Sequence, residues 1–214
     1  MDEIILLQKI LDLGISNGYF ELNEIKSLDK SCCTDSSISV IDFDKTEEIH
    51  RVKHCALALK SCDALKISGT DSSIDFIEMK GMRQFMNRQL IIKTNIQPQV
   101  QEKVYSFKFT NKIRDSITIL NNIVQSANFN LSGRERDLYH AIAKKYIVLT
   151  DINIMSNPLE LLTLTLEFLS ETSSDMEHIL FEHFESEIRN IELPNYYNIQ
   201  RPILMSCNDF KSYY

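Results

Sequence analysis

The stretch Cys62-Asp63-Ala64-Leu65-Lys66-Ile67-Ser68-Gly69-Thr70-Asp71-Ser72-Ser73-Ile74-Asp75-Phe76-Ile77-Glu78-Met79-Lys80 decides how this chain folds. Two apolar runs flank a Gly/Thr/Asp/Ser cluster, the composition of a short loop between two strands. Side chains at i and i+2 share one face of a strand, so Glu78 and Lys80 point the same way. Folding the hairpin symmetrically about Thr70 and Asp71 sets Leu65 opposite Phe76, Ile67 opposite Ile74, and Asp63 opposite Glu78. Directly paired residues have Cβ atoms about 4.5–5.5 Å apart, and like charges in that position destabilise a sheet. Two carboxylates with an ammonium beside them therefore call for compensation, and a divalent cation supplies it. Glu78 and Lys80 pairing in solvent would explain the same letters at little gain. Phe76 and Ile74 on their face argue instead for an apolar border.

An Asp at the start of one strand, a hairpin, then Glu-x-Lys in the next strand resembles the PD-(D/E)xK nuclease superfamily. Asp63 takes the place of its Asp, Glu78-Met79-Lys80 the place of its second half, and Cys62 stands where the name-giving Pro would be. The resemblance covers roughly residues 44–155. It implies a restriction-endonuclease-like fold: an α/β structure with a mixed sheet flanked by helices. It also implies a Mg²⁺ (or Mn²⁺) ion held by Asp63, Glu78, the backbone carbonyl of Met79, and a helical carboxylate, Glu48 or its neighbour Glu47. Lys80 would orient the attacking water or neutralise the scissile phosphate. Gln84, one turn after the motif, is a further candidate contact. The reaction implied is phosphodiester hydrolysis in DNA or RNA.

The whole chain of 214 residues carries a net charge of −7, which counts against a nucleic-acid partner. Its distribution says more. Residues 1–50 hold eleven acids and four bases, and residues 151–214 hold eleven and three. From Lys80 to Arg114 there are eight bases, including Arg83, Arg88, Lys103, Lys108 and Lys112, and a single acid, Glu102. These residues, with Gln84, are the expected nucleic-acid contacts. A basic face that docks on the acidic ends, or on a second copy, explains the same asymmetry.

No run reaches the about 18 consecutive apolar residues that span a bilayer, so no membrane partner is expected. The acidic start Met1-Asp2-Glu3 differs from the basic start of a secretory signal. Five cysteines without Cys-x-x-Cys spacing match neither a zinc motif nor a disulfide framework. Reduced thiols in a cytoplasmic protein are the economical expectation.

Along the chain, residues 3–13 predict a helix stopped by Gly14, and the segment to Ser39 reads as loop. Val40–Phe43 suggests a short strand. Asp44-Lys45-Thr46-Glu47 has the form of a capped helix start, with Ile49, Val52, Ala56 and Leu59 at helical spacing. Pro98 and nearby glutamines read as loop, and Val104–Phe109 alternates like a strand. Ile113, Ile117, Leu120 and Val124 mark an amphipathic helix. Ser132–Glu135 forms a capping box, and Tyr146–Thr150 suits a buried strand. Ile203–Met205 suits an edge strand. The domain reading is a nuclease-like α/β unit over 1–155 and a mostly helical extension over 156–214 packing on it. Leu161, Leu162, Leu164, Leu166 and Leu169 there suggest self-association or a protein partner.

His50 and His54, four apart, read as a solvated helix face. The chain has no phosphate-loop motif and no Gly-x-Ser-x-Gly. Two other functions fit the letters: a catalytically idle nuclease-like interaction subunit, and an acidic immunity or inhibitor protein that shields a basic partner.

Overall fold

The alternation from Leu65 to Ile77 becomes the middle of a six-stranded mixed sheet in the computed structural model, which describes residues 2–29, 32–33, 36–68, 72–92, 96–152 and 173–214. The chain begins with α1 (Glu3–Ser16), β1 (Leu22–Glu24), α2 (Ile25–Leu28), β2 (Ser39–Asp42) and α3 (Phe43–His54). The hairpin of β3 (Ala64–Ser68) and β4 (Ser73–Lys80) follows. Helices α4 (Arg83–Ile92), α5 (Ile96–Tyr105), α6 (Phe109–Gln125) and α7 (Gly133–Ala141) lead to β5 (Ala143–Thr150). The chain closes with α8 (Ser173–Arg189), β6 (Ile203–Ser206) and α9 (Cys207–Tyr213).

Strands lie in the order β1-β2-β3-β4-β5-β6. The first four are antiparallel neighbours, while β5 runs parallel to β4 and β6 parallel to β5. Parallel neighbours need a long crossover, and α4 to α7 supply the one between β4 and β5. Residues Ser73 to Met79 of β4 are all buried, so Asp75 and Glu78 enter the interior together with the apolar residues beside them.

Alternation of side chains divides the interior in two. On one face Leu65, Ile74, Phe76, Tyr146 and Val148 pack under α1, α5, α6 and α8 in the larger core. On the other, Ala64, Ile77, Met79, Ile147 and Leu149 meet Ile25, Cys32, Cys33 and Phe210 in a smaller one. Helix α8 brings Leu180, Phe184 and Ile188 to the larger core, and β6 extends the same sheet. Among the described residues no helix is long and apolar enough to cross a membrane.

Several local expectations are corrected. Gly14 does not end α1. It lies buried inside the helix, and a Cβ there would come within 1.9 Å of the Phe20 ring, so the glycine makes room for that ring. The segment after it, expected as loop, contains β1 and α2. Helix α3 is capped by Asp42, whose side chain accepts the Lys45 N–H, not by Asp44. It stops at His54, and Val52 is exposed rather than part of an apolar stripe. His50 is buried, and only His54 reaches toward a hydroxyl, that of Tyr19 at 2.9 Å.

Val104–Phe109 is no strand. Val100 and Val104 stand four apart on α5 and are both buried, and Lys108 in the left-handed region turns the chain into α6. Helical spacing outcompeted the period-2 pattern there. Pro98 falls in the first turn of α5, where its missing N–H costs nothing. The expected turn residues Thr70 and Asp71 and the leucines between Leu161 and Leu169 lie outside the described residues.

Candidate active site

The register of the central hairpin determines which polar groups meet. Leu65 pairs with Phe76 and Ile67 with Ile74, and the last ladder pair is Ala64 with Ile77. Asp63 immediately precedes β3, and Glu78 follows Ile77 on β4. The Asp63 carboxylate reaches across the strand end, and its Oδ2 accepts the Met79 N–H at 2.5 Å.

Glu78 is fully buried, and its Oε1 pairs with two ammoniums: that of Lys80, and that of Lys112 at 2.7 Å. Each ammonium also stands 3.6 Å from an oxygen of Asp63. Lys80 donates to the Met79 carbonyl at 2.9 Å. Two carboxylates and two ammoniums thus fill one small volume at the carboxyl end of β4.

Lys112 arrives from α6, whose apolar face of Ile113, Ile117, Leu120 and Val124 sits in the larger core. One turn on from Lys112, Ser116 is buried on the same helix and its Oγ accepts the Cys62 N–H at 2.8 Å. That bond fixes the strand start carrying Asp63 against the helix carrying Lys112. The Cys62 thiol is pushed well above its ordinary range by burial and by Glu78, so it stays protonated and is a poor nucleophile.

Burial, and after it the Asp63 carboxylate, push Glu78 up to about 7 despite the ammoniums. Lys112 goes the other way from what burial alone would do. Glu78 and Asp63 hold it above its usual value, so it stays charged.

A depression of about 600 Å³ opens beside this cluster, lined by Asp44, Glu47, Lys60, Lys80, Phe107 and Lys112 among others. Asp44 accepts the Ser61 hydroxyl, and burial raises its carboxyl above the ordinary range. The Glu47 Oε1 accepts the Leu59 N–H at 3.1 Å. Phe107 forms the lip, with Lys80 Nζ at 5.4 Å and Lys103 Nζ at 5.3 Å from its ring centroid.

The donor set fits a small, hard cation. Glu78 Oε2 is buried with no hydrogen-bond partner, an expensive state for a carboxylate oxygen. The Tyr146 hydroxyl, which feels the charge of Glu78, is also buried and unpartnered. Glu78 Oε2, the Asp63 carboxylate and the Met79 carbonyl offer oxygens only, the preference of Mg²⁺ and Mn²⁺.

A comparison with protein-family models, with curated proteins and with solved structures finds no match to this chain.

Of the residues read from the sequence, Asp63, Glu78, Lys80 and Met79 come together. Glu48 does not join them: it is exposed and lies in the field of Lys45, and Glu47 is the residue that lines the depression. Arg83 is engaged elsewhere, because its guanidinium donates to the Asp151 carbonyl at 2.9 Å and its N–H to the Asp151 carboxylate. Gln84 and Arg88 are exposed on α4, and Lys108 is exposed just before α6. Lys112, expected among the nucleic-acid contacts, also pairs with Glu78 and Asp63 at the centre of the cluster. The missed signal was a pair of polar residues, Lys112 and Ser116, at helical spacing along the edge of an apolar stripe.

Proposed function

We propose that this chain is a metal-dependent phosphodiesterase acting on DNA or RNA, with a restriction-endonuclease-like fold. The observation that carries the reading is the unpartnered, buried Glu78 Oε2 beside the Asp63 carboxylate. A mixed sheet flanked by helices, with Asp63 just before one strand and Glu78-Met79-Lys80 closing the next, supports the same reading.

Asp63, Glu78 Oε2 and the Met79 carbonyl would hold one Mg²⁺ or Mn²⁺ ion. Bound there, such an ion acidifies a coordinated water and stabilises charge on a phosphoryl oxygen. Glu78 must be ionised to hold it, so ligation begins with loss of the proton that burial favours. Lys80, on the same strand face, orients the water or faces the phosphate. Lys112 balances the carboxylates before substrate arrives and can then turn to a non-bridging oxygen. Phe107 and Lys103 at the lip offer a stacking face and a charge to an unpaired base and its phosphate.

A second reading follows from one distance. The Lys112 ammonium lies 2.7 Å from Glu78 and neutralises it without a metal, as a catalytically idle interaction subunit would require. Cleavage of single- and double-stranded DNA and RNA with Mg²⁺ or Mn²⁺ decides between the two. Metal-dependent cutting that disappears in Lys80→Ala supports the enzyme. No cutting, together with no metal binding that depends on Asp63, leaves the idle subunit.

A further inference from the structure

Three of the five cysteines meet on the opposite face of the sheet from Asp63 and Glu78, although Cys207 is 174 residues beyond Cys33. The sulfurs of Cys32, Cys33 and Cys207 all lie within 4.8 Å of one another. Cys32 Sγ and Cys33 Sγ are 3.7 Å apart. Two sulfurs that share a tetrahedral ion at about 2.3 Å each are separated by roughly 3.8 Å. This is the spacing of co-ligands, far longer than a disulfide bond.

The backbone is bent to achieve it. Adjacent residues of an extended chain point to opposite sides, yet both sulfurs here face Cys207. Cys33 has φ of 55°, in the left-handed region that non-glycine residues rarely adopt. Such an outlier persists where the surroundings hold it, often at a ligand site. The Cys33 N–H also donates to Cys207 Sγ at 2.9 Å, which favours a thiolate there.

We propose that Cys32, Cys33 and Cys207 form a three-thiolate site for a thiophilic cation of the zinc class. Cys32 and Cys33 are buried, while Cys207 is half-buried, so the fourth ligand enters from the Cys207 side as water. Asp29 is near enough for its charge to act on Cys33 and Cys207. Binding displaces the remaining thiol protons to solvent, with no change of oxidation state.

The placement gives the ion a task. Cys32 and Cys33 belong to the connection between α2 and β2, near one edge of the sheet. Cys207 follows β6, the opposite edge. Over the face between them, the described cover consists of a four-residue helix and a seven-residue helix. A small core of this kind gains most from a cross-link, and one ion ties both covering segments together.

The test uses the full reduced chain, stripped of metal and titrated with Co²⁺. One equivalent should bring up sulfur-to-cobalt charge-transfer absorption and tetrahedral visible bands, both abolished by equimolar Zn²⁺. Cys207→Ser and Cys33→Ser should each weaken Zn²⁺ binding at least tenfold with an unchanged far-ultraviolet spectrum. Cys55→Ser, at an exposed cysteine outside the cluster, should bind as the parent does. Zn²⁺ should raise the melting temperature of the parent and not of Cys207→Ser. Absence of charge-transfer bands in the parent overturns the proposal, and so does full binding by Cys207→Ser or loss of binding in Cys55→Ser.

Discussion

The Asp63 carboxylate and the Met79 amide are bonded at 2.5 Å across the end of the central hairpin. The bond joins the first half of the candidate motif to the second and aims one Asp63 oxygen at the strand that carries Glu78. Its geometry separates two roles of Asp63, because asparagine keeps an acceptor for the amide while removing the charge.

Asp63→Asn should therefore fold with little loss yet lose its response to Mg²⁺ or Mn²⁺. Asp63→Ala should lose that response and also about 1 kcal/mol of stability through the missing hydrogen bond. Calorimetric metal titration and urea unfolding of both variants measure the two effects separately. Undiminished metal binding by Asp63→Asn would remove Asp63 from the ligand set.

The Glu78 carboxyl is pushed up to about 7, against 4.5 for the free side chain. Between those values the folded chain keeps a proton that the unfolded chain has released. Stability of the metal-free protein should then fall as pH rises from about 4.5 to about 7. The contribution is on the order of 3 kcal/mol. Urea unfolding across this range should show the decline, and Glu78→Gln should flatten it. A rise in stability attributable to Glu78 over the same range would show that the two ammoniums outweigh burial.

Lys80 and Lys112 should behave differently although both touch Glu78. Lys112→Met removes a cation that competes for the carboxylates, so metal affinity should rise by roughly threefold to tenfold, about 1 kcal/mol. Lys80→Met should reduce turnover by roughly 100-fold or more at saturating metal. Metal titration and single-turnover cleavage provide the comparison. Identical effects of both substitutions would mean that the ammoniums share one structural role.

Lys103 and Lys108 stand outside the carboxylate cluster, both exposed. Replacing both by Ala should lower the slope of log affinity against log salt by about 1.5 for a nucleic-acid ligand. Fluorescence anisotropy with a labelled oligonucleotide at several salt concentrations reads this directly. Salt-insensitive or absent binding by the parent would make the basic stretch a protein-docking face.

Gly14→Ala should destabilise the fold by about 1–3 kcal/mol, because its Cβ would overlap the Phe20 ring. Thermal unfolding checks it, with a neutral or stabilising result as the contrary outcome.

The hairpin was legible because its information is local. Alternation and turn composition over nineteen letters determine the register, and the register alone brings Asp63 to Glu78. Lys112 was legible as a basic contact but not as a partner of Glu78 and Asp63, since that position depends on how α6 crosses the sheet. That is decided by Ile113, Ile117 and Leu120 in a tertiary core. The Val104–Phe109 segment was misread where two periodicities competed within a few residues, and the end of α1 because Gly14 serves the Phe20 ring and not a helix stop. The thiol cluster joins residues from opposite edges of the sheet, a distance in sequence that no spacing rule addresses.

The site is also assembled at two different sequence ranges, and this has a consequence for the order of folding. Asp63 meets Met79 across 16 residues, whereas Lys112 meets Glu78 across 34, with α4 and α5 between. Shorter loops close at lower entropic cost. The two acids should thus come together in the hairpin before the helix delivers its counter-charge, with the Glu78 proton keeping the early pair tolerable. Glu78→Gln would then act mainly on the refolding rate and Lys112→Met mainly on the unfolding rate, which stopped-flow chevrons of the two variants can distinguish.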